Sequence, residues 1–312
     1  MQKKGIQKTL LFLAVTFLLS WPMAFGYLAA AGMSYSLSFL LMGTLYMFTP
    51  ALAAIIVQKV VFKEKVLVPL GVSFRLNRWF LAALMLPPFL AVVATAVGLL
   101  FPGIRVTLDP ATANIFEFFG RVFPEERVEA LRRSVATLPI HPVLLTLLGG
   151  TIAGATVNAV AGFGEELGWR GLLQNELAPL GFWKSSWVIG YVWGLWHIPF
   201  IVYGHNYPGH PLAGIFMMTL WTILFAPLIG YMRLRADSVV AAAIMHGSLN
   251  GTAMAPALMT RGGDSLTVGV MGIAGISVLV VLNALLYRFG KTDFRHNQFL
   301  QQVQRHADQL YR

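Results

Sequence analysis

Apolar residues in this chain run in stretches of about 20, separated by shorter polar segments. Neither the strict alternation of a half-buried strand nor the one-sided stripe of a soluble helix dominates. Wound as helices, about 20 residues cover the roughly 30 Å hydrocarbon thickness of a bilayer. Eight such segments are legible: Thr9–Leu28, Leu37–Val57, Trp79–Phe101, Pro142–Phe163, Trp183–Val202, Leu212–Met232, Ser238–Met259 and Leu266–Tyr287. Pro22, Pro50, Pro87, Pro88 and Pro227 fall inside them or at their ends. Membrane helices tolerate proline because neighbouring groups satisfy the freed carbonyls. The pattern predicts an all-α fold, a polytopic transmembrane helical bundle of about eight spans. A membrane β-barrel needs short alternating segments, and the chain shows none.

Composition agrees. Charged residues make up 12% of the chain and hydrophobic ones 57%, against roughly 25% charged in soluble domains. The net charge of +10 does not point to nucleic acid, because the basic residues flank apolar spans. They read as topology signals and as contacts with anionic membrane lipids. Of the 23 Lys and Arg residues, only Arg105, Arg121, Arg127, Arg132, Arg133 and Arg261 fall on one set of alternate loops. The other 17 fall on the opposite set and the termini. The positive-inside rule then predicts both termini in the cytoplasm, and a multi-pass protein of the plasma (cytoplasmic) membrane is expected. Lys3, Lys4 and Lys8 before an apolar run ending near Ala29-Ala30-Ala31 also resemble a signal peptide. The apolar run is longer than the usual 7–15 residues of such a core, so a retained first helix is expected. The absence of cysteine rules out disulfides, thiolate metal sites and a cysteine nucleophile.

Residues 1–290 read as a single transmembrane domain and 291–312 as a polar C-terminal tail. The longest connection, Pro102–His141, mixes Phe116, Phe118, Phe119, Val122, Phe123, Val128 and Leu131 with balanced charges. It reads either as an amphipathic helix on the membrane surface or as an ordered loop.

Three polar constellations interrupt the apolar background. The first is Glu165-Glu166-Leu-Gly-Trp-Arg170. Carboxylates at membrane depth cost about 2.5–3.5 kcal/mol each and mark function by default. On a helix Arg170 shares a face with Glu166, while Glu165 points about 100° away. That spacing makes Glu166 the paired anion and Glu165 the free one. The structural alternative is a charge pair at a helix end, because Glu165 follows the apparent end of its span. Upstream, Gly150, Gly154, Asn158 and Gly162 recur every four residues, a stripe that lets another helix approach closely, and Asn158 is placed to bond within the site. The second constellation is Trp193-Gly-Leu-Trp-His197-Ile-Pro199, with Pro199 set to kink the helix near His197. The third is His246-Gly-Ser-Leu-Asn250, one imidazole and one amide on a common face, following the helix cap candidates Asp237 and Ser238. Either histidine alone can also be an interhelical clasp. The depths disagree: His246 lies roughly 12 Å and His197 roughly 21 Å from the inner ends of their segments, while Glu165 lies at its own end. A shared site requires the fourth helix to continue toward Leu173 and tilt.

In this order and spacing the three motifs resemble the CPBP family, which comprises the Ras-converting-type CAAX prenyl endopeptidases and the bacteriocin-processing or Abi proteins. The likeness covers about Pro142–Asn250 and departs at Trp193, where phenylalanine is more usual. It implies an intramembrane endopeptidase acting on a membrane-embedded or lipidated peptide or protein, including a prenylated CAAX type. Glu165 with His197 would activate a water, His246 and Asn250 would stabilise the oxyanion, and Glu166 and Arg170 would hold the arrangement. No cofactor is expected. A zinc site on His197, His246 and Glu165 is the alternative, but no His-Glu-x-x-His helix is present to fix it. Competing readings are a non-catalytic immunity or scaffold protein of the same family, and a proton-coupled transporter, for which intramembrane Glu, His and Arg also serve.

Overall fold

The apolar runs become helices, and the polar punctuation sets where they start and stop. A computed structural model describes residues 3–33, 36–121 and 123–292, so the expected tail lies outside the described residues beyond Thr292. The helices are α1 (Lys3–Ala31), α2 (Leu37–Ile55), α3 (Arg78–Gly98), α4 (Ile115–Gly120), α5 (Glu125–Ala136), α6 (Pro142–Gly154), α7 (Val157–Glu166) and α8 (Gln174–Leu177). There follow α9 (Phe182–Trp196), α10 (Ile198–Val202), α11 (Pro211–Ala236), α12 (Val239–Thr252), α13 (Ala255–Met259) and α14 (Ile273–Phe289). Wider π-helical turns extend α2 over Ile56–Val61 and join α7 to α8 over Leu167–Leu173. Two short antiparallel strands, β1 (Arg105–Val106) and β2 (Thr260–Arg261), pair Arg105 with Arg261 and Val106 with Thr260.

Side chains cap several starts. Ser36 accepts from the Phe39 amide, Asn77 from that of Trp79, and Ser238 from that of Val240. Each satisfies one of the amides that a helix N-terminus leaves without a partner. Asp237, with left-handed backbone at φ 53°, ends α11, and the Ser238 amide reaches back to the Arg233 carbonyl at 3.1 Å. α11 and α12 are thereby folded back on each other by a single turn.

Outward-facing Leu18, Leu40, Leu148, Ile152, Phe216 and Tyr287 are each more than half exposed, an apolar exterior that suits lipid and not water. The chain is an integral membrane protein. Among the described residues, four helical stretches are long and apolar enough to cross a bilayer: Lys3–Ala31, Leu37–Val61, Arg78–Gly98 and Pro211–Ala236. The pair Pro142–Gly154 and Val157–Leu180, bent by 57°, passes the same test only when taken together, as one broken span or a re-entrant loop. The other expected spans are shorter than drawn from the sequence. Trp183–Val202 breaks at His197, Ser238–Met259 breaks after Thr252, and Leu266–Tyr287 is helical only from Ile273. The 14 residues of α12 reach only roughly 21 Å. Two basic residues expected in inside loops, Arg170 and Arg233, are instead buried in the bundle and carry no topology signal.

α1 packs through Phe12, Thr16, Ser20, Ala24 and Leu28, all buried and four residues apart. Phe12 meets the Trp169 ring edge-on at 5.5 Å. Residues 102–121 and 123–141 lie by the C-terminal end of α12, with buried Ile115, Phe116 and Val128. The Asn114 amide bonds the Thr260 carbonyl at 2.8 Å, and Arg132 lies over the Phe116 ring.

α12 sits against α6 and α7 along the glycine stripe. A Cβ on Gly154 would lie 2.4 Å from Ser248 Cα, one on Gly247 2.6 Å from the Ala159 nitrogen, and one on Gly162 2.8 Å from the Ala243 carbonyl. Backbone-to-backbone contact of this kind leaves no room for any larger residue and brings α12 alongside the two glutamates.

Candidate active site

The helix carrying Glu165 does not end there. After a break at Ala155–Thr156 it runs from Val157 through Leu180, so the glutamates sit well inside it. Every residue from Gly164 to Gln174 is buried, which corrects the helix-end alternative. The break has no proline to cause it. The chain tightens there, with the Thr156 amide bonded to the Ala153 carbonyl three residues back. Gly164 and Gly168 admit α2, since a Cβ on them would meet the Met47 carbonyl at 2.7 Å and Pro50 Cβ at 2.6 Å.

The two carboxylates have different partners. Glu166, fully buried, takes Arg170 Nη1 at 3.2 Å on Oε1 and 3.1 Å on Oε2. It also takes His246 Nδ1 at 2.8 Å on Oε1. Glu165, 2% exposed, accepts from Trp193 Nε1 on Oε2 at 2.7 Å. Its Oε1 lies 3.7 Å from His246 Nε2. The Arg170 guanidinium lies over the Trp193 ring at 4.6 Å. Two carboxylates thus face one guanidinium and one imidazole, all buried, where an unpaired charge is costly. With His246 as imidazolium the four groups sum to zero charge.

His197 caps the end of α9. Pro199 lacks an amide, the helix stops at Trp196, and the last carbonyls of α9 need other partners. His197 Nδ1 bonds the Trp193 carbonyl at 2.8 Å, the His197 amide bonds the Gly194 carbonyl at 3.1 Å, and the Tyr46 hydroxyl donates to the Trp196 carbonyl at 2.5 Å. A carbonyl only accepts, so Nδ1 of His197 carries the proton and a neutral ring leaves Nε2 with its lone pair. The same rule puts a proton on His246 Nδ1 opposite ionised Glu166.

Glu165, Glu166, Arg170 and His246 therefore form one cluster. His197 joins it through Trp193, with no hydrogen bond to Glu165 among the described residues. Asn250 is exposed one turn beyond His246 and makes no side-chain hydrogen bond among the described residues. Asn158 reaches the Gly247 carbonyl at 3.3 Å, a clasp onto the α12 backbone, not a member of the cluster. The spacing of Trp193 from His197 placed them on one face, but the indole bond to Glu165 was not legible in it. Tyr46 carried no signal at all. As for zinc, no group of three His, Asp or Glu side chains among the described residues is placed to hold a metal ion, and one nitrogen of each histidine is already committed.

Residues 142–252 match the family model described as Type II CAAX prenyl endopeptidase Rce1-like. Over this segment the chain is similar to that family of CAAX prenyl endopeptidases. The match spans α6 to the end of α12 and so takes in all six site residues. It supports a protease, a hydrolase whose substrate is a membrane-associated protein. No curated protein matches the chain.

Proposed function

We propose that this protein is an intramembrane glutamic endopeptidase that cleaves a membrane-embedded or lipidated peptide, including a prenylated CAAX type, without a metal cofactor. The observation that carries the reading is the unequal engagement of the two carboxylates. Glu166 is bound on three sides by Arg170 and His246 and serves as a fixed anion. Glu165 is held by one indole bond and keeps Oε1 for a water.

In this mechanism the water lies between Glu165 Oε1 and His197 Nε2. Glu165 takes its proton as the oxygen attacks the scissile carbonyl carbon, and His197 orients the water. The carbonyl π electrons move to oxygen, and the oxyanion accepts hydrogen bonds from Asn250 Nδ2 and from His246 Nε2–H. Glu166, bonded to Nδ1, supports the positive charge on that ring, and Arg170 supports Glu166. Collapse breaks the C–N bond, and the proton held on Glu165 passes to the departing amine. General acid–base help of this kind contributes about 10²–10⁴-fold, and one oxyanion donor about 10²–10³-fold.

The same reading takes residues 1–290 as one domain of eight spans in the cytoplasmic membrane with both termini inside. The shorter helices α9, α12 and α14 would then complete their crossings with the segments next to them. The test is cleavage of farnesylated CAAX and unmodified fluorogenic peptides by detergent-purified protein, with and without chelator. Cleavage should survive the chelator. It should fall by about 10³-fold or more in Glu165→Gln and by about 10²-fold in Asn250→Ala, with both variants folded. Full activity in Glu165→Gln rejects the assigned base, and loss to chelator rejects the metal-free mechanism. No cleavage of any peptide by the wild type favours a non-catalytic binding protein.

A further inference from the structure

Four members of the site meet at one residue to which the hydrolytic reading gives no role. Trp193 donates its indole N–H to Glu165 Oε2 at 2.7 Å and accepts from His197 Nδ1 on its main-chain carbonyl at 2.8 Å. Its ring lies beneath the Arg170 guanidinium at 4.6 Å and 5.6 Å from the His246 ring. It is 1% exposed.

We propose that Trp193 is the positioning residue for water activation, aligning Glu165 through its indole and His197 through its carbonyl. The proposal rests on the hydrolytic reading above. Both contacts act on orientation. A carboxylate on a helix turns about its last torsion, which is broad and soft. Fixing Oε2 with a donor in the plane of the indole turns Oε1 toward the space shared with His246 Nε2. The carbonyl contact works on the partner base. At the broken end of α9 the Trp193 carbonyl has lost its helical amide, and by taking the Nδ1 proton of His197 it leaves Nε2 as the basic nitrogen. The break before Pro199 thus supplies the acceptor that sets the tautomer. Because one rigid residue carries both contacts, the two bases cannot drift apart independently.

Phenylalanine at this position keeps a ring for Arg170 and the same carbonyl for His197, and it removes the donor to Glu165 together with part of the buried ring volume. Trp193→Phe is therefore the selective variant. Trp221→Phe is its packing control: Trp221 stands 6.3 Å from Trp193 in the same aromatic cluster, and its Nε1 donates to the Val270 carbonyl, away from the carboxylates. A hydrogen bond to a charged group is worth about 1.5–3 kcal/mol, so kcat in Trp193→Phe should fall roughly 10- to 150-fold. KM should stay within about twofold, because the indole is buried against Glu165 and not presented at a surface. Trp221→Phe should keep kcat.

The second readout needs no substrate. Unfolding midpoints of wild type, Trp193→Phe, Glu165→Ala and the double variant form a cycle, and losses that are less than additive show the two side chains bonded. Three outcomes overturn the proposal: full kcat in Trp193→Phe, an equal loss of kcat in Trp221→Phe, or strictly additive midpoints. The first two leave the hydrolytic reading intact, whereas a wild type that cleaves no peptide removes that reading and this proposal together.

Discussion

At the scale of residues, the site is a balance of buried charge. Glu166 and Arg170 are each within about 1% of full burial and bond each other across one helical turn. Removing one partner of such a pair costs more than removing both, because the survivor stays buried and unpaired. Arg170→Ala should therefore destabilise the protein by about 3–5 kcal/mol, and the Arg170→Ala, Glu166→Gln double variant by less. Unfolding midpoints in detergent measure both. A double variant as unstable as the sum of its parts would mean that the pair holds nothing together. Lysine at 170 should not rescue, because it lacks the planar fork that reaches Glu166 and stacks on Trp193. This pairing was legible in the spacing of Glu166 and Arg170. The indole bond on Glu165 was not, since its donor lies 28 residues away on another helix.

At the scale of elements, three helices make the site by close approach. α12 reaches α6 and α7 only because glycines line the contact, and that contact places His246 against Glu166. Gly154→Val puts side-chain atoms into Ser248, where even a Cβ would stand 2.4 Å from its Cα. It should lower stability by about 1–3 kcal/mol or more and reduce cleavage through displacement of His246. Gly149→Ala is the internal control, since a Cβ there meets nothing within 4 Å, and it should match the wild type in cleavage and be at least as stable. Equal behaviour of the two variants would refute the role of the stripe. The four-residue repeat of Gly150, Gly154 and Gly162 was visible in the sequence. Which helix fills it was not, because a small-residue stripe accepts any apolar neighbour of suitable shape.

At the scale of the whole molecule, the first helix is bound to the last turns of the helix that carries the site. Lys8, 5% exposed, bonds Gln58 at 3.1 Å and Glu64 at 2.5 Å, and its Nζ lies 3.4 Å from Glu176. Lys4 adds a second contact to Glu64 at 2.8 Å. Burial alone would raise the Glu64 carboxyl, but Lys4 and Lys8 outweigh it and hold the group below its ordinary value of 4.5. A depressed carboxylate stabilises the fold in full above its unfolded pKa, and that contribution is lost as pH falls through the lower folded value. The unfolding midpoint of wild type should exceed that of Glu64→Gln near neutral pH, and the gap should close as pH falls below about 4.5. A gap that does not change with pH would show that the lysines do not act through charge.

Sequence alone determined the solvent of this protein and the residues that matter in it. Apolar runs of bilayer length can only be helices in lipid, since each backbone group must be satisfied within its own segment. Against that background Glu165, Glu166, Arg170, His197, His246 and Asn250 stand out because polar side chains there are expensive. Tertiary structure alone decided how they are joined. The bend at Ala155–Thr156, with no proline to announce it, and the π-helical turn after Glu166 carry the glutamates into the bundle and bring His246, 80 residues on, to 2.8 Å. Helix spacing along a chain fixes faces within one helix. Contacts between helices depend on packing, register and where each helix breaks, and those are settled only when all the helices are in place.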